Sequence, residues 1–440
     1  MFAKEEYARR RQDLAATLEA GSIAVVAGRI QTGAFDIFRQ NNEFLYLSGV
    51  EVPQSYLSIE GKSGETTLYL PGRDAKLERS EGAIANADDP EAARLSTGVD
   101  HVKHHEQLAN DLAKYAIVYT PLQPGEGKQM CRDTLSHGLA ANDRDPWDSS
   151  VFREQAFVRD LSAKVTGIEV KDLVPRLDQL RGCKSEAEVG AMRVAGELSA
   201  KAVAEAMKST SVGLYEYQLA AVAEYVFRVN GADGGAYRPI VASGKNIWNA
   251  HYYRNNHLLG DGDLVLMDYA PDYHHYTSDI GRMWPVNGTY SPWQRELYGY
   301  IVEYHKVLLG LIRPGRMARE IEEEAAVRMR TVIESRSWSK ESFRQAALAT
   351  LEFHGHLSHG VGMAVHDVWD YRKEPLRSGV VFALDPQMWV HEEELYIRVE
   401  DTVVVTETGV ENLTSAVPLE LDEVEALMRS EGIAQKFPPI

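Results

Sequence analysis

The spacing of apolar residues along the chain changes character near residue 180. Before that point, apolar positions over 7–18 recur at helical intervals, and SIAVVA at 22–27 is a short apolar run of strand length. TLYL at 67–70 and AIVYTPL at 116–122 are further strand candidates, and residues 75–110 are charged and read as surface helices and loops. Strands alternating with helical stretches predict an α/β domain over residues 1–172. After it, Ser185 and Glu188 make a capping-box signature, and AEVGAMRVAGELSAKAVAEAM continues with helical periodicity. Helices follow over 213–230, 290–312 and 316–336, with strand-like runs at 240–242, 264–267, 380–384 and 395–405. Helices segregated from antiparallel strands predict an α+β domain over 173–440.

The stretch that organises this second domain is 263–283, DLVLMDYAPDYHHYTSDIGRM. The apolar run 264–267 is too short for a helix, lies between Gly262 and Pro271, and ends in Asp268. A turn at Pro271 and Asp272 would return the chain as an antiparallel partner over 276–283, which carries Asp279. Such a hairpin could hold two carboxylates side by side. Buried like charges need a shared proton or a metal ion, whereas two unrelated turn or capping residues need neither.

Composition narrows the choice. Of 440 residues, 44% are hydrophobic and 25% charged, which is normal for a globular chain of two or three domains. A net charge of −18, from 65 acids against 47 bases, argues against nucleic acid or an anionic membrane surface as partner. No apolar run approaches the ~18–20 residues of a membrane span. Cys131 and Cys183 support neither a disulfide framework nor a thiolate zinc site. The opening MFAKEEYARRRQ has no apolar core of a secretory signal, so a cytoplasmic location is expected.

Further candidate chemistry lies in the second half. His251 precedes two tyrosines, and HGHLSHGVGMAVHD supplies His354, His356, His359 and His366. Asp385 ends the run VVFAL, and in LYIRVEDTVVV strand alternation puts Tyr396, Arg398 and Glu400 on one face. Asp268, Asp279, His359, Asp385 and Glu400 would form a carboxylate-rich site with one imidazole. Such a donor set suits Mn2+ first, with Co2+, Fe2+ or Zn2+ compatible. Each residue taken singly also has a structural explanation. A histidine on a glycine-rich loop is commonly a hydrogen-bonding residue, an Asp before Pro a turn residue, and Glu400 an edge-strand charge.

The whole set, in this order, resembles the aminopeptidase P and prolidase family of metallopeptidases. DGDLVLMD resembles the family's DGDLVLID, and SDIGRMWPVNG resembles its GDITRTFPVNG. HGVGMAVHD fits H-x-x-G-x-x-x-H-D, and IRVEDTVVVTETGVENLT resembles RIEDxxxVTxxGxExLT. PIVASGKNIWNAHY resembles the stretch before the first Asp, and RQNNEFLYLSGV resembles RQNSDFxYFTGF near the start. The resemblance covers nearly the whole chain and is weakest over 75–160.

It implies a creatinase/prolidase-like N-terminal α/β domain that shapes the pocket and supports oligomerisation, followed by a pita-bread catalytic domain. It implies two divalent ions held by Asp268, Asp279, His359, Asp385 and Glu400, with Asp279 and Glu400 bridging and a metal-bridging hydroxide as nucleophile. His251 and His366 fall on histidines that contact substrate, and Arg398 on an arginine that organises the site. The implied activity is release of an N-terminal residue from peptides with proline second, by a homodimer or homotetramer. The alternatives are an Xaa-Pro dipeptidase, a non-peptidase metal enzyme on the same fold, or a metal-free binding module, which the retained acids disfavour. Two departures stand out: Asp385 replaces a glutamate, which shortens its reach by about 1.5 Å. Gly355 replaces a histidine, and His356, counted with the catalytic residues, and His354 on the other side are the two alternatives for its role. The loop after Asp385 is also shorter than is usual in aminopeptidase P.

Overall fold

Short β-branched runs that pack on both faces build the sheets of this protein, and loops at the strand ends carry its chemistry. The computed structural model describes residues 2–438 except 32, 34, 35 and 149. The chain divides into two units, residues 1–181 and 182–440.

The first unit is a mixed sheet of β1 (Ser22–Ala27), β2 (Tyr56–Glu60), β3 (Thr66–Leu70), β4 (His101–His104), β5 (Ile117–Thr120) and β6 (Glu169–Asp172), in the order β4-β3-β2-β1-β5-β6. β2 runs antiparallel to both neighbours and the other pairings are parallel. Ile23 and Val25 pack with Val118, Phe157 and Leu161 in the core of this sheet. The expectation of helices and loops over 75–110 holds for Ala75–Glu81 and Pro90–Thr97, but β4 is an added edge strand. Its sequence HVKH has no apolar run to announce it. Asp100 just before it accepts from both Thr66 N and Thr66 Oγ1 at 2.8 Å, which helps dock it beside β3. Helix Val174–Gly182 lies almost wholly in the first unit, although the sequence reading began the second domain at 173. Ion pairs tie it there: Arg132 to Asp178 at 2.6 Å, and Arg181 to Glu126 at 2.6 Å.

The second unit is built on an antiparallel sheet of β7 (Ile240–Ser243), β8 (Leu264–Asp268), β9 (Ile280–Pro285), β10 (Leu357–Gly360), β11 (Val381–Leu384), β14 (Glu400–Val405) and β15 (Val410–Asn412). The order is β10-β11-β14-β9-β8-β7, with β15 on β14, while β12 (Gln387–Val390) and β13 (Leu395–Arg398) form a separate hairpin. Helices Glu186–Ser209, Glu216–Val229, Pro292–Leu311, Ala318–Ser335 and Glu341–Thr350 accompany these strands. The capping box opens the first as expected, with Glu188 N donating to Ser185 Oγ and Ser185 N to Glu188 Oε2. Helix Pro292–Leu311 buries Leu297, Ile301, Tyr304 and Leu308, the i, i+4, i+7, i+11 face of an amphipathic helix.

Two strand expectations are corrected. The return strand of the 263–283 hairpin starts at Ile280, not 276, because Tyr273 and Tyr276 exchange backbone hydrogen bonds across their own tight turn. The run 395–405 is two strands. At Val399, whose N–H donates to Pro386 O at 3.2 Å, the chain passes from the β12–β13 hairpin into the main sheet.

Behind Glu400 sits a buried ionic group. Arg282 Nη1 donates to Glu400 O, Arg282 Nη2 donates to Asp401 Oδ1, and both bonds are 2.6 Å. His305 Nε2 lies 2.9 Å from the other Asp401 oxygen. Burial alone would raise the Asp401 pKa, but Arg282 and His305 hold it below the usual carboxylate range. Asp401→Asn leaves Arg282 buried without its counter-ion. We expect a loss of about 3–5 kcal/mol in urea denaturation; a loss under ~1 kcal/mol would show that the group does not hold this part of the sheet.

Candidate metal centre

The sheet register puts three strands side by side at the site. Asp268 pairs with Gly281, and Gly281 pairs on its other side with Glu400. Asp279 lies two residues before Gly281, at the mouth of the β8–β9 hairpin, and Asp385 follows β11. All four acids are buried, with 0–4% of their surface exposed. One guanidinium faces them. Arg398 donates through Nη1 to Asp268 Oδ2 at 2.9 Å, through Nε to Asp385 Oδ1 at 3.0 Å, and through Nη2 to Glu400 Oε2. Four carboxylates against one arginine leave an excess of buried negative charge, which is costly without further cations or protons. Burial, together with the charge of Asp268, raises the Asp279 pKa well above its ordinary value. Burial likewise raises Glu400 well above and Asp385 above theirs, despite Arg398. Burial also works against the Arg398 charge, but Asp385 and Glu400 outweigh it and keep the guanidinium charged.

Ligand atoms of Asp279, His359 and Glu400 all lie within 4.8 Å of one another. His359 Nε2 is 3.4 Å from Asp279 Oδ2, while its Nδ1 is 3.1 Å from the carbonyl of Gly360. An imidazole that spends Nδ1–H on a backbone carbonyl keeps the Nε2 lone pair for a metal. Glu400 Oε1 is buried with no hydrogen-bond partner. A buried carboxylate oxygen without a hydrogen-bond partner, beside an imidazole and a third acid, fits a divalent cation.

The loops that bring the histidines are tethered by buried polar anchors. Glu216 accepts from Ser243 N at 2.6 Å, Ser243 Oγ at 2.8 Å and His257 N at 2.9 Å, which fastens both ends of the segment bearing His251. His251 is solvent-accessible on one side, and desolvation on its inner side lowers its pKa despite the nearby charge of Asp268. Lys184 pairs with Asp367 at 2.9 Å, and Asp367 N donates to Gly360 O at 2.8 Å, closing the loop between His359 and His366. The His359 and His366 rings are in contact, with centroids 3.9 Å apart and planes tilted by 33°.

His356 is not brought to this cluster. Its ring is fully buried between Tyr304 and Phe353, at 4.6 and 5.0 Å, and its Nε2 bonds the Thr350 carbonyl at 2.8 Å. His354 is an exposed residue 3.9 Å from Glu322. Tyr237 is a residue that the sequence reading missed. Its hydroxyl contacts Asp268 Oδ1 at 2.7 Å and Asp279 Oδ1 at 2.9 Å, bracing the two acids. Three residues before β7, it carries no local signal beyond its place ahead of PIVASG.

Buried carboxylates, an imidazole and an arginine at the open end of an antiparallel sheet define a metal-dependent hydrolase centre. Residues 190–407 match the model of metallopeptidase family M24, and residues 7–120 match the aminopeptidase P N-terminal domain. The chain is 31% identical to the Xaa-Pro aminopeptidase of Escherichia coli K12, over 97% of this chain and 98% of that one. It is 31% identical to Xaa-Pro aminopeptidase 3 of Homo sapiens, over 89% and 76%. Zinc-substituted E. coli aminopeptidase P in complex with product superposes with a TM-score of 0.81 at 27% identity, covering 97% of this chain and 98% of that one. Proline aminopeptidase P II from Yersinia pestis gives 0.79 at 30% identity, over 97% and 100%. The chain belongs to the M24 metallopeptidase family and carries the aminopeptidase P type of N-terminal domain, and its second unit has the pita-bread fold.

Tyr237→Phe removes the brace between Asp268 and Asp279 with little change in volume. Mn2+ affinity, measured by isothermal titration calorimetry, should fall roughly 10–100-fold; an unchanged affinity would leave the hydroxyl without a role at the site. His356 makes a separate prediction, because burial pushes its pKa down to about 4 from 6.5. The folded ring stays neutral where the unfolded one takes a proton, so stability falls as pH drops from 6.5 to 4 and levels off below. This contribution amounts to roughly 3 kcal/mol. His356→Leu should lose less stability than the parent across that window in chemical denaturation at pH 7, 5.5 and 4; parallel losses would contradict the assignment.

Proposed function

We propose that this chain is a metal-dependent Xaa-Pro aminopeptidase, hydrolysing the bond between an N-terminal residue and a following proline. The single observation that carries the reading is the buried group of Asp279, His359 and Glu400, with Glu400 Oε1 lacking a partner, on a chain that matches M24 enzymes over nearly its whole length. A divalent metal bound there supplies Lewis acidity that lowers the pKa of water and polarises a carbonyl. The side chains do the rest. The excess of carboxylates attracts the ammonium of a peptide N-terminus and orients it inward. His251, neutral and open to solvent, can donate N–H to a carbonyl oxygen as negative charge develops on it. His366, in ring contact with His359, is placed to hold a proton for the departing amine. Arg398 and Tyr237 keep the acids from reorganising as charge moves.

The oxygen-rich donor set favours Mn2+, with Co2+, Fe2+ or Zn2+ as the other candidates. A homodimer or homotetramer and a cytoplasmic setting complete the proposal; neither cysteine is in a disulfide. Among the described residues no helix is long and apolar enough to cross a membrane.

Metal-free protein reconstituted with Mn2+, Co2+ or Zn2+ should release the first residue of Xaa-Pro-Yaa tripeptides. Cleavage of Xaa-Pro dipeptides alone would make it a dipeptidase, and no cleavage with metal bound would retire the peptidase reading. Asp279→Asn should lower kcat/KM by ~1000-fold or more, equivalent to ~4 kcal/mol of transition-state stabilisation, with the circular dichroism spectrum unchanged.

A further inference from the structure

Helix Arg153–Lys164 of the first unit carries Arg153, Phe157, Leu161 and Lys164 at helical spacing, on one face. Beside this face and the short helix Leu108–Leu112 lies a cavity of about 280 Å3. Its apolar wall is Leu108, Leu112, Phe157, Leu161 and Val165, each at most 7% exposed, so the cavity reaches the core of the sheet. Arg153 and Lys164 also line it, together with Tyr56 of β2.

Arg153 is fixed in place but not neutralised. Its Nη2 donates to Tyr56 Oη at 2.8 Å and its Nε to Gly28 O at 3.4 Å, and neither acceptor is a carboxylate. Among the described residues no carboxylate forms an ion pair with Arg153 or Lys164. Glu154, the next residue in the chain, is buried and turned to Gly125, where an added Cβ would lie 2.7 Å from its Oε1. Burial and the charge of Glu43 push the Glu154 pKa up to about 7, so it is no full counter-ion at neutral pH. The two acids that line the cavity are already engaged. Glu106 lies 3.1 Å from His105 Nε2, and Asp160 lies 3.1 Å from Arg159 Nη2. The charge left over is therefore positive, in a chain whose net charge is −18.

A guanidinium offers a planar fork of donors that matches a carboxylate. The apolar wall runs on past it to Leu161, eight residues or about 12 Å along the helix. A carboxylate seated on Arg153 would therefore lay an apolar body of that length against Phe157 and Leu161. The cavity is slightly smaller than the ~300–1,000 Å3 of sites for drug-sized ligands, which suits a small molecule and not a protein segment. We propose that the first unit binds a free medium-chain or arylalkyl carboxylate in this cavity, its head on Arg153 and its body on Phe157 and Leu161. Lys164, about 16 Å from Arg153 along the helix axis, adds attraction for the anion. The proposal goes beyond the peptidase reading and is tested by binding alone.

The probe is octanoate, titrated in a calorimeter into the full chain loaded with Mn2+, with octan-1-ol as the neutral analogue of equal length. Octanoate should saturate with a Kd below about 1 mM. Octan-1-ol should bind roughly 10-fold more weakly or worse, and Arg153→Met should weaken octanoate by a similar factor. Acetate, a head without a body, should bind roughly 100-fold more weakly. Hydrogen exchange on the parent should slow within residues 105–112 and 153–165 when octanoate is bound. No saturable binding below about 1 mM, equal binding of the alcohol, full affinity in Arg153→Met, or protection confined to the second unit would each overturn it. Carboxylate bound at the metal centre would survive Arg153→Met and protect the second unit, so it cannot pass for the proposed site. Should Arg153→Met fail to fold, the comparison of octanoate with octan-1-ol and the protection map, both on the parent, decide the outcome.

Discussion

The structure of the second unit depends on one electrostatic problem, four carboxylates buried around a single guanidinium. Bringing Asp268, Asp279, Asp385 and Glu400 out of water is unfavourable by itself, and Arg398 offsets only part of it. The remainder makes the site a trap for a cation. It also accounts for the polar structure around the acids, since a carboxylate that could rotate away would relieve the strain and lose the site. Tyr237 pins Asp268 to Asp279, Gln387 pins Asp385, and the pairs of β14 with β9 pin the backbone of Glu400.

The antiparallel ladder is what turns a sequence separation of more than a hundred residues into atomic proximity. Asp268, Gly281 and Glu400 form one row across β8, β9 and β14, so the distances between them follow from strand spacing, not from loop conformation. A slip of one residue in either pairing would turn one acid to the opposite face and dissolve the group. The apolar content of β8, where Val265, Leu266 and Met267 are completely buried, opposes that slip. Arg282 and Asp401, next along the same strands, oppose it through a buried ion pair.

These levels were unequally legible in the sequence. Runs such as SIAVVA and LVLMD announce strands because burial on both faces requires consecutive apolar residues, and Ser185 with Glu188 announces a helix start by local hydrogen bonding alone. Strand β4 was invisible because an edge strand needs only backbone partners. The break at Val399 was invisible because a chain that changes sheets keeps its apolar texture while its pairing changes. Asp268, Asp279, His359 and Glu400 were legible as a set through their motifs, yet His356 looked like the nearest substitute for a missing histidine. Its ring instead fills a slot between Tyr304 and Phe353, a fact of packing that sequence adjacency does not carry. Tyr237 was missed for the converse reason: a tyrosine acquires its role only when the fold brings two acids to its hydroxyl.

Around the metal centre, the histidine loops are held by buried ionic and hydrogen-bonded anchors as well as by apolar side chains such as Ile247 and Val361. Glu216 collects four donors, from Ser243 N and Oγ, Asn246 Nδ2 and His257 N, beneath the His251 segment, and Lys184 reaches Asp367 beneath the loop between His359 and His366. A buried carboxylate or ammonium fastens a loop through a few directed bonds. Such anchors are strong only when satisfied, which is why the glycines beside them cannot be enlarged. A Cβ at Gly362 would lie 2.1 Å from Asp367 Oδ2, and one at Gly379 would lie 2.7 Å from Lys184 O. The positions of the histidines are therefore set by close backbone approach and charge pairing, which makes these loops intolerant of added atoms.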